Sequence, residues 1–282
     1  MNERIDAHHH FWRYNPTEYA WLEGRYAPLA RDFVPADLEP ELRAAGVDGT
    51  VLVQVRQSLA ETEEMLADAR RHSWIRGVLG WAPLTEPGFE AGLERLCSDR
   101  KLKGLRHIVQ DEPDDNYLLR ADFNRGISAL KNTGLVYDVL IYERHLPQAI
   151  EFVDRHPEQV FVLDHVAKPR IADAVVEPWT KSIRELARRE NIYCKVSGMV
   201  TEADWDTWTE EKLRIYWEVV LEAFGPRRLM AGSDWPVCLV AASYARWFEI
   251  VRSWTAALSA SEQDRVLGGT ASEAYRLEKT AQ

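Results

Sequence analysis

Cysteine is scarce in this chain, and its scarcity excludes several architectures. Cys97, Cys194 and Cys238 make an odd number without metal-type spacing. A disulfide framework or a cysteine zinc site is therefore not expected, and a reducing compartment, the cytoplasm, is. No apolar run approaches the roughly 20 residues that a membrane-spanning helix needs. The charged opening Met1-Asn2-Glu3-Arg4-Ile5-Asp6 lacks the apolar core of a signal peptide. The formal net charge is -10 and no basic cluster offsets it, which argues against a nucleic-acid partner. No Gly-x-Gly-x-x-Gly follows the first apolar run, so the fingerprint of a dinucleotide-binding open sheet is missing. Linkers and low-complexity stretches are absent too, and 1–282 reads as one domain.

What the chain does have is a regular alternation. Hydrophobic residues make up 46% and charged residues 28%, a composition that can bury a large core. Segments of strand length lie at 5–7, 50–55, 77–82, 103–109, 135–141, 160–164, 192–196 and 228–232; the one at 50–55 is a continuous apolar run, as expected of a parallel strand buried on both faces. Segments with helical spacing lie between them, at 36–45, 59–71, 89–99, 121–132, 146–155, 179–189 and 211–224. Closing helices follow at 243–258 and 261–267, with a turn near 271–275. Eight strand-helix units in strict order predict a single-domain (β/α)8 TIM barrel. The aromatic, proline-containing segment 11–35 reads as a loop that covers something.

In such a barrel the active site lies at the C-terminal ends of the strands. The polar residues there are His8 and His10, Gln54 and Arg56, Arg106 and His107, Asp138 and Tyr142, Asp164 and His165, Lys195 and Ser197, and Ser233 and Asp234. Strand three offers only Trp81. His8 and His10 are two apart and so share a face. Taken singly, each of these groups can be scaffold: Asp138 or Asp164 can anchor a loop, Arg106 can pair with either, and Lys195 can point between helices. Charges are costly to bury without a purpose or a partner, and His8, His10, His165 and Asp234 stand together at three strand ends. They predict a catalytic mouth. His72, His145 and His156 fall in helices or connections and are expected at the surface. Among eleven tryptophans, several are expected to line a pocket.

Five motifs carry a family resemblance. They are Ile5-Asp-Ala-His-His-His-Phe-Trp12, Gly104-Leu-Arg-His107, Leu163-Asp-His-Val-Ala-Lys-Pro169, Lys195-Val-Ser-Gly198 and Gly232-Ser-Asp-Trp-Pro236. Together they resemble the amidohydrolase superfamily, in particular its branch of sugar lactonases, the L-fuconolactonases and L-rhamnonolactonases, with the related pyrone-dicarboxylate lactonases. The resemblance spans nearly the whole chain. It implies a TIM barrel and hydrolysis of a cyclic ester, with a small lactone as the partner; a homo-oligomer stays open. It also implies that His8, His10, His165 and Asp234 surround the reacting carbonyl and that Asp234 is the general base. Many superfamily members carry a metal-binding His at strand five. Here Tyr137 and Asp138 stand there, so two metal ions are not expected. One divalent ion, zinc first, on His8, His10 and Asp234 is one version, and a metal-free site, as in the pyrone lactonases, is the other.

Lactone hydrolysis needs the carbonyl oxygen polarised and a water deprotonated. Zinc on two His and a carboxylate supplies the first. Without it, Arg106, His107 and the strand-one histidines do. Gln54, His107, Trp12, Trp81 and Trp235 are the expected substrate-binding residues, with Trp205 a further ring near the mouth. Two other readings compete. A metal-dependent decarboxylase of an aromatic acid uses the same barrel, and a barrel without catalysis is a binding protein that has lost a base or a His.

Overall fold

The computed structural model describes residues 3–278, so the last four residues of the expected domain and Met1-Asn2 of the opening stretch lie outside it. Eight parallel strands run in the order β1 to β8: β1 Ile5–His9, β2 Gly49–Val53, β3 Ile75–Gly80, β4 Leu102–His107, β5 Val136–Val139, β6 Phe161–Leu163, β7 Ile192–Val196 and β8 Leu229–Ala231. Every neighbouring pair is parallel. The ring is completed by a parallel bridge between His9 and Trp235. This is the expected (β/α)8 barrel.

The helices are α1 Pro35–Ala45, α2 Leu59–Arg71, α3 Phe89–Cys97, α4 Ala121–Ala129, α5 Leu146–Arg155, α6 Trp179–Leu186, α7 Glu210–Phe224, α8 Tyr244–Thr255, α9 Ala260–Asp264 and α10 Thr270–Ala274. Their limits follow local chemistry. Ser58 and Ser243 cap α2 and α8 by accepting the N–H of Glu61 and Arg246. Gly46 ends α1 in a left-handed conformation at φ 63°. The expected helix over 261–267 is split: α9 gives way to a wide turn at Arg265–Gly269. Gly268 there lies against the start of β1, where a Cβ would meet the Glu3 carbonyl at 2.1 Å.

Two layers fill the barrel. Near the strand starts, Ile5, Ala7, Val51, Val53, Leu79, Val136, Val162 and Met230 form an apolar cluster that Ala271, Ala274 and Tyr275 of the α10 segment complete. Strand side chains alternate, so the inward positions two residues further along β5 and β6 are Asp138 and Asp164. Lys195 on β7 and Arg106 on β4 join them, and all four are buried. The barrel thus changes from apolar to charged one layer below its mouth. On β1 the pairing register shifts between Asp6 and His9. His8 and His10, two apart, share the face that meets Asp234, while His9 bonds Thr50 Oγ1 at 2.8 Å.

The β1–β8 seam is held by Asp6. Its buried carboxylate accepts Ser233 N–H (2.8 Å), Ser233 Oγ–H (2.6 Å), Tyr244 O–H (3.1 Å) and His8 N–H (3.1 Å). Burial still pushes the acid up to about 6, against the pull of those hydrogen bonds. The segment 11–34 reaches over the mouth of the barrel to Trp205 in the loop after β7, with one short 3-10 turn at Gly24–Leu29 and a bridge from Trp12 to Phe33.

Asp6→Asn is expected to destabilise the fold by about 3 kcal/mol in urea unfolding at pH 7, because an amide cannot accept from all four donors. The folded acid binds its proton more tightly than the unfolded one, so its contribution to stability falls as pH rises from about 4 to about 6. The variant should lose that decline. Unchanged stability and an unchanged pH profile would remove Asp6 from this role.

Candidate active site

A cavity of about 310 Å³ opens at the C-terminal ends of the strands. His10, Arg106, His165 and Asp234 are at its base and are each at most 5% exposed. Asp234 follows β8 with φ 59°. Its N–H donates to His8 O at 2.8 Å, and His10 N–H donates to Trp235 O at 2.7 Å. The hydrogen bonds that close the barrel therefore also set the base beside the histidines. Two glycines make room. A Cβ on Gly232 would lie 2.9 Å from His8 Cβ, and one on Gly198 would lie 2.7 Å from the His165 ring.

The donor atoms converge. His8 Nε2 and His10 Nε2 are 3.2 Å apart. Asp234 Oδ1 is 3.3 Å from His10 Nε2, 3.8 Å from His8 Nε2 and 3.8 Å from His165 Nε2. His10 Nδ1 bonds Val53 O at 2.8 Å, which makes that nitrogen the protonated one and turns a lone pair on Nε2 toward Asp234. His165 Nδ1 is held by Ser197 Oγ at 2.8 Å.

Burial lowers the basicity of all three imidazoles, His165 to about 4 and His8 further helped by the Lys195 charge. They are neutral at pH 7. Burial works against the Asp234 charge, but His165 and His10, once protonated in acid, and Lys168 outweigh it and hold the carboxyl below its ordinary value. The site thus offers an ionised carboxylate among neutral imidazoles, which suits a proton acceptor.

Behind the base lies the charged layer. Arg106 Nη1 donates to Asp164 Oδ2 at 3.0 Å and approaches His8 Nε2 at 3.3 Å, while Nη2 bonds Gln54 O. Lys195 Nζ pairs with Asp138, with Asp164 at 3.0 Å and with His8 Nδ1 at 3.0 Å. Tyr275 O–H reaches Asp138 from below at 3.0 Å. Burial pushes Asp138 up to about 7; Asp164 is buried equally, but Lys195, His8 and Arg106 hold it well below the usual carboxylate range.

The fit of a metal ion can be judged from these atoms. In a tetrahedral zinc shell with Zn–N near 2.0–2.1 Å, ligand atoms lie about 3.3 Å apart. Among His8 Nε2, His10 Nε2 and Asp234 Oδ1 two separations match that, at 3.2 and 3.3 Å, and the third is 3.8 Å; all lie within 4.8 Å of one another. A second such cluster is His8, Asp164 and His165. The residues fit one ion, with Arg106 close by as a competing cation.

The expected residues do not all reach the cavity. Gln54 is buried behind Arg106, exchanging hydrogen bonds with it through Nε2 to Arg106 O (3.2 Å) and Oε1 (3.3 Å). His107 faces away from the mouth: it takes the Trp81 indole N–H at 3.2 Å, meets Glu112 at 2.6 Å and stacks on Tyr117. Trp12 donates to Arg31 O at 2.8 Å and packs on Phe33 and Tyr19, so it pins the covering segment. Trp235 is buried against Phe11 and Phe33. Trp205 packs on Tyr26 from behind. The rings that do line the cavity are Trp21, Tyr26 and Tyr142, joined by the polar Gln110, Asp111, Lys168 and Glu202. Trp21 and Tyr26 come from the covering loop, whose path no local pattern reveals. His145, expected at the surface, is buried, bonded to Asp115 at 2.9 Å and accepting Tyr142 N–H. His72 and His156 are partly buried.

Among the described residues no helix is long and apolar enough to cross a membrane. The family model for amidohydrolases matches residues 5–277. A curated L-fucono-1,5-lactonase from Burkholderia multivorans is 40% identical over 99% of this chain and 97% of its own length. Another from Burkholderia ambifaria is 36% identical over the same shares. A crystal structure of an amidohydrolase from Burkholderia multivorans with bound zinc superposes at a TM-score of 0.93, with 41% identity over 98% of this chain and all of that one. With its barrel, its strand-end histidines and its strand-eight aspartate, the chain belongs to the amidohydrolase family.

Proposed function

We propose that this protein hydrolyses a sugar lactone of the L-fucono-1,5-lactone kind to its hydroxy acid, with Asp234 as general base. The observation that carries the reading is the convergence of the His8, His10 and His165 Nε2 atoms on Asp234 Oδ1, within 3.3–3.8 Å, at the base of a cavity. The 40% identity to an L-fucono-1,5-lactonase over 99% of the chain supports the substrate.

The lactone carbonyl oxygen lies toward Arg106, whose guanidinium strengthens as a donor when the oxygen gains charge. A water between the carbonyl carbon and Asp234 gives its proton to Oδ1 as its oxygen attacks. The tetrahedral intermediate collapses with cleavage of the ring C–O bond, and the proton returns from Asp234 to the departing ring oxygen. One water is consumed and one hydroxy acid is formed. His165, held by Ser197, faces Asp234 from 3.8 Å and borders the reacting carbonyl. A single divalent ion on His8, His10 and Asp234 would supply Lewis-acid polarisation of the carbonyl when bound.

Asp234→Asn is expected to keep the fold and lose about 10²–10⁴-fold or more in kcat on the best lactone of an aldono-1,4- and 1,5-lactone panel followed with a pH indicator. Wild-type turnover in that variant removes Asp234 as the base. Carbon dioxide evolution from an aromatic acid, with no acid released from any lactone, favours the decarboxylase reading instead.

Arg106→Lys should also lose activity despite its equal charge, since a lysine cannot reach Asp164, Gln54 and substrate at once. Activity within twofold of wild type would place carbonyl polarisation elsewhere.

For metal, we expect at most one equivalent per chain in protein purified without a His tag. Two equivalents by elemental analysis would contradict the single site, and full activity after a strong chelator would leave polarisation to Arg106 and the histidines.

A further inference from the structure

The turn after β6 is built from unusual backbone. His165, Val166, Ala167 and Lys168 have φ values of 51°, 48°, 60° and 47°. They form one turn of left-handed helix without a glycine. Each such residue costs about 1–2 kcal/mol relative to the right-handed form, and backbone strain of this kind persists where surroundings enforce it, often at functional sites. The turn closes through Lys168 N–H to His165 O at 2.8 Å, and Val166 and Ala167 are buried. The effect of the turn is to send its first and last side chains, His165 and Lys168, into the same cavity.

Lys168 Nζ faces Glu202 Oε1 at 3.7 Å and the Tyr142 ring at 5.5 Å. All three residues line the cavity. At 3.7 Å the pair is outside hydrogen-bond range, so both groups keep hydrogen-bonding capacity for a third party. An ion pair that still sees water contributes little to stability, typically about 0–1 kcal/mol, far less than the strain of the turn that places it. Trp21 and Tyr26 add aromatic surface to the same cavity.

We propose that Lys168 and Glu202 are a hydroxyl-reading clamp: the ammonium donates to one ring hydroxyl and the carboxylate accepts from another, while the carbonyl lies at Arg106 and Asp234. The pair selects polyhydroxylated lactones over rings without hydroxyls. This rests on the lactone reading above and narrows it. Lys168 and Glu202 bind the substrate; neither takes part in the proton transfers.

The test uses two unreactive amide analogues, a polyhydroxylated δ-lactam and unsubstituted δ-valerolactam, titrated by calorimetry into the wild type, Lys168→Met, Glu202→Gln and Lys168→Arg. Melting temperatures confirm folding. The wild type is expected to bind the hydroxylated lactam more tightly by about 10-fold or more. Lys168→Met and Glu202→Gln should each lose about 10–100-fold on that ligand, the value of a charge-assisted hydrogen bond, and leave δ-valerolactam within about threefold. Lys168→Arg keeps a donor and should retain most of the affinity. On L-fucono-1,5-lactone the losses should appear mainly in KM. Equal wild-type affinity for both lactams, equal losses on both, or no loss at all overturns the clamp. If Lys168→Met does not fold, Glu202→Gln decides alone. Selective lactam binding without hydrolysis of any lactone would overturn the proposed activity and leave the clamp standing.

Discussion

Closure of the barrel through a buried carboxylate is the constraint on which the rest depends. Asp6 gathers the N–H and hydroxyl of Ser233, the hydroxyl of Tyr244 and the N–H of His8. It joins the first strand, the end of the last and the last long helix at one point. The neighbouring bond from Asp234 N–H to His8 O then places the general base against the histidines. A buried acid with so many donors is costly to desolvate, as its rise to about 6 shows, yet removing it strands every partner. Stability and site geometry share the same few atoms.

The charged layer has a related logic. Arg106, Asp138, Asp164 and Lys195 occupy the inward positions that an inert barrel would fill with Val or Leu. Lys195 between two carboxylates, and Arg106 against Asp164 and Gln54, keep those charges paired away from water. The arrangement holds Arg106 rigid below the cavity, and an oriented donor needs no reorganisation when charge develops on substrate. The Asp138 hydroxyl partner, Tyr275, comes from the segment that also closes the far end of the barrel.

The covering segment is fastened from both sides. Arg56 meets Glu18 at 2.7 Å and Glu61 at 3.5 Å, tying the segment to α2. Arg25 and Tyr26 lie on Trp205 at 4.0 and 5.0 Å, tying it to the loop after β7. Those contacts hold Trp21 and Tyr26 over the cavity and give it an aromatic wall.

The sequence by itself determined the barrel, because eight strand-length segments in strict alternation with helical periods admit few other packings. It also determined which strand ends carry His8, His10, Arg106, His165 and Asp234, since strand alternation is local. Tertiary structure decided which side chains reach the cavity. Gln54, His107, Trp12, Trp81 and Trp235 sit at or near strand ends as well, but hydrogen bonds and ring contacts to distant residues turn them into supports. Trp21, Tyr26, Lys168 and Glu202 took their places because a long loop folded over and a left-handed turn reversed the chain. Asp6 and Tyr275 were hidden for the same reason: Ser233 and Asp138, which they bond, lie more than a hundred residues away. Periodicity reports which face of an element a residue occupies, and only packing between elements decides what that face meets.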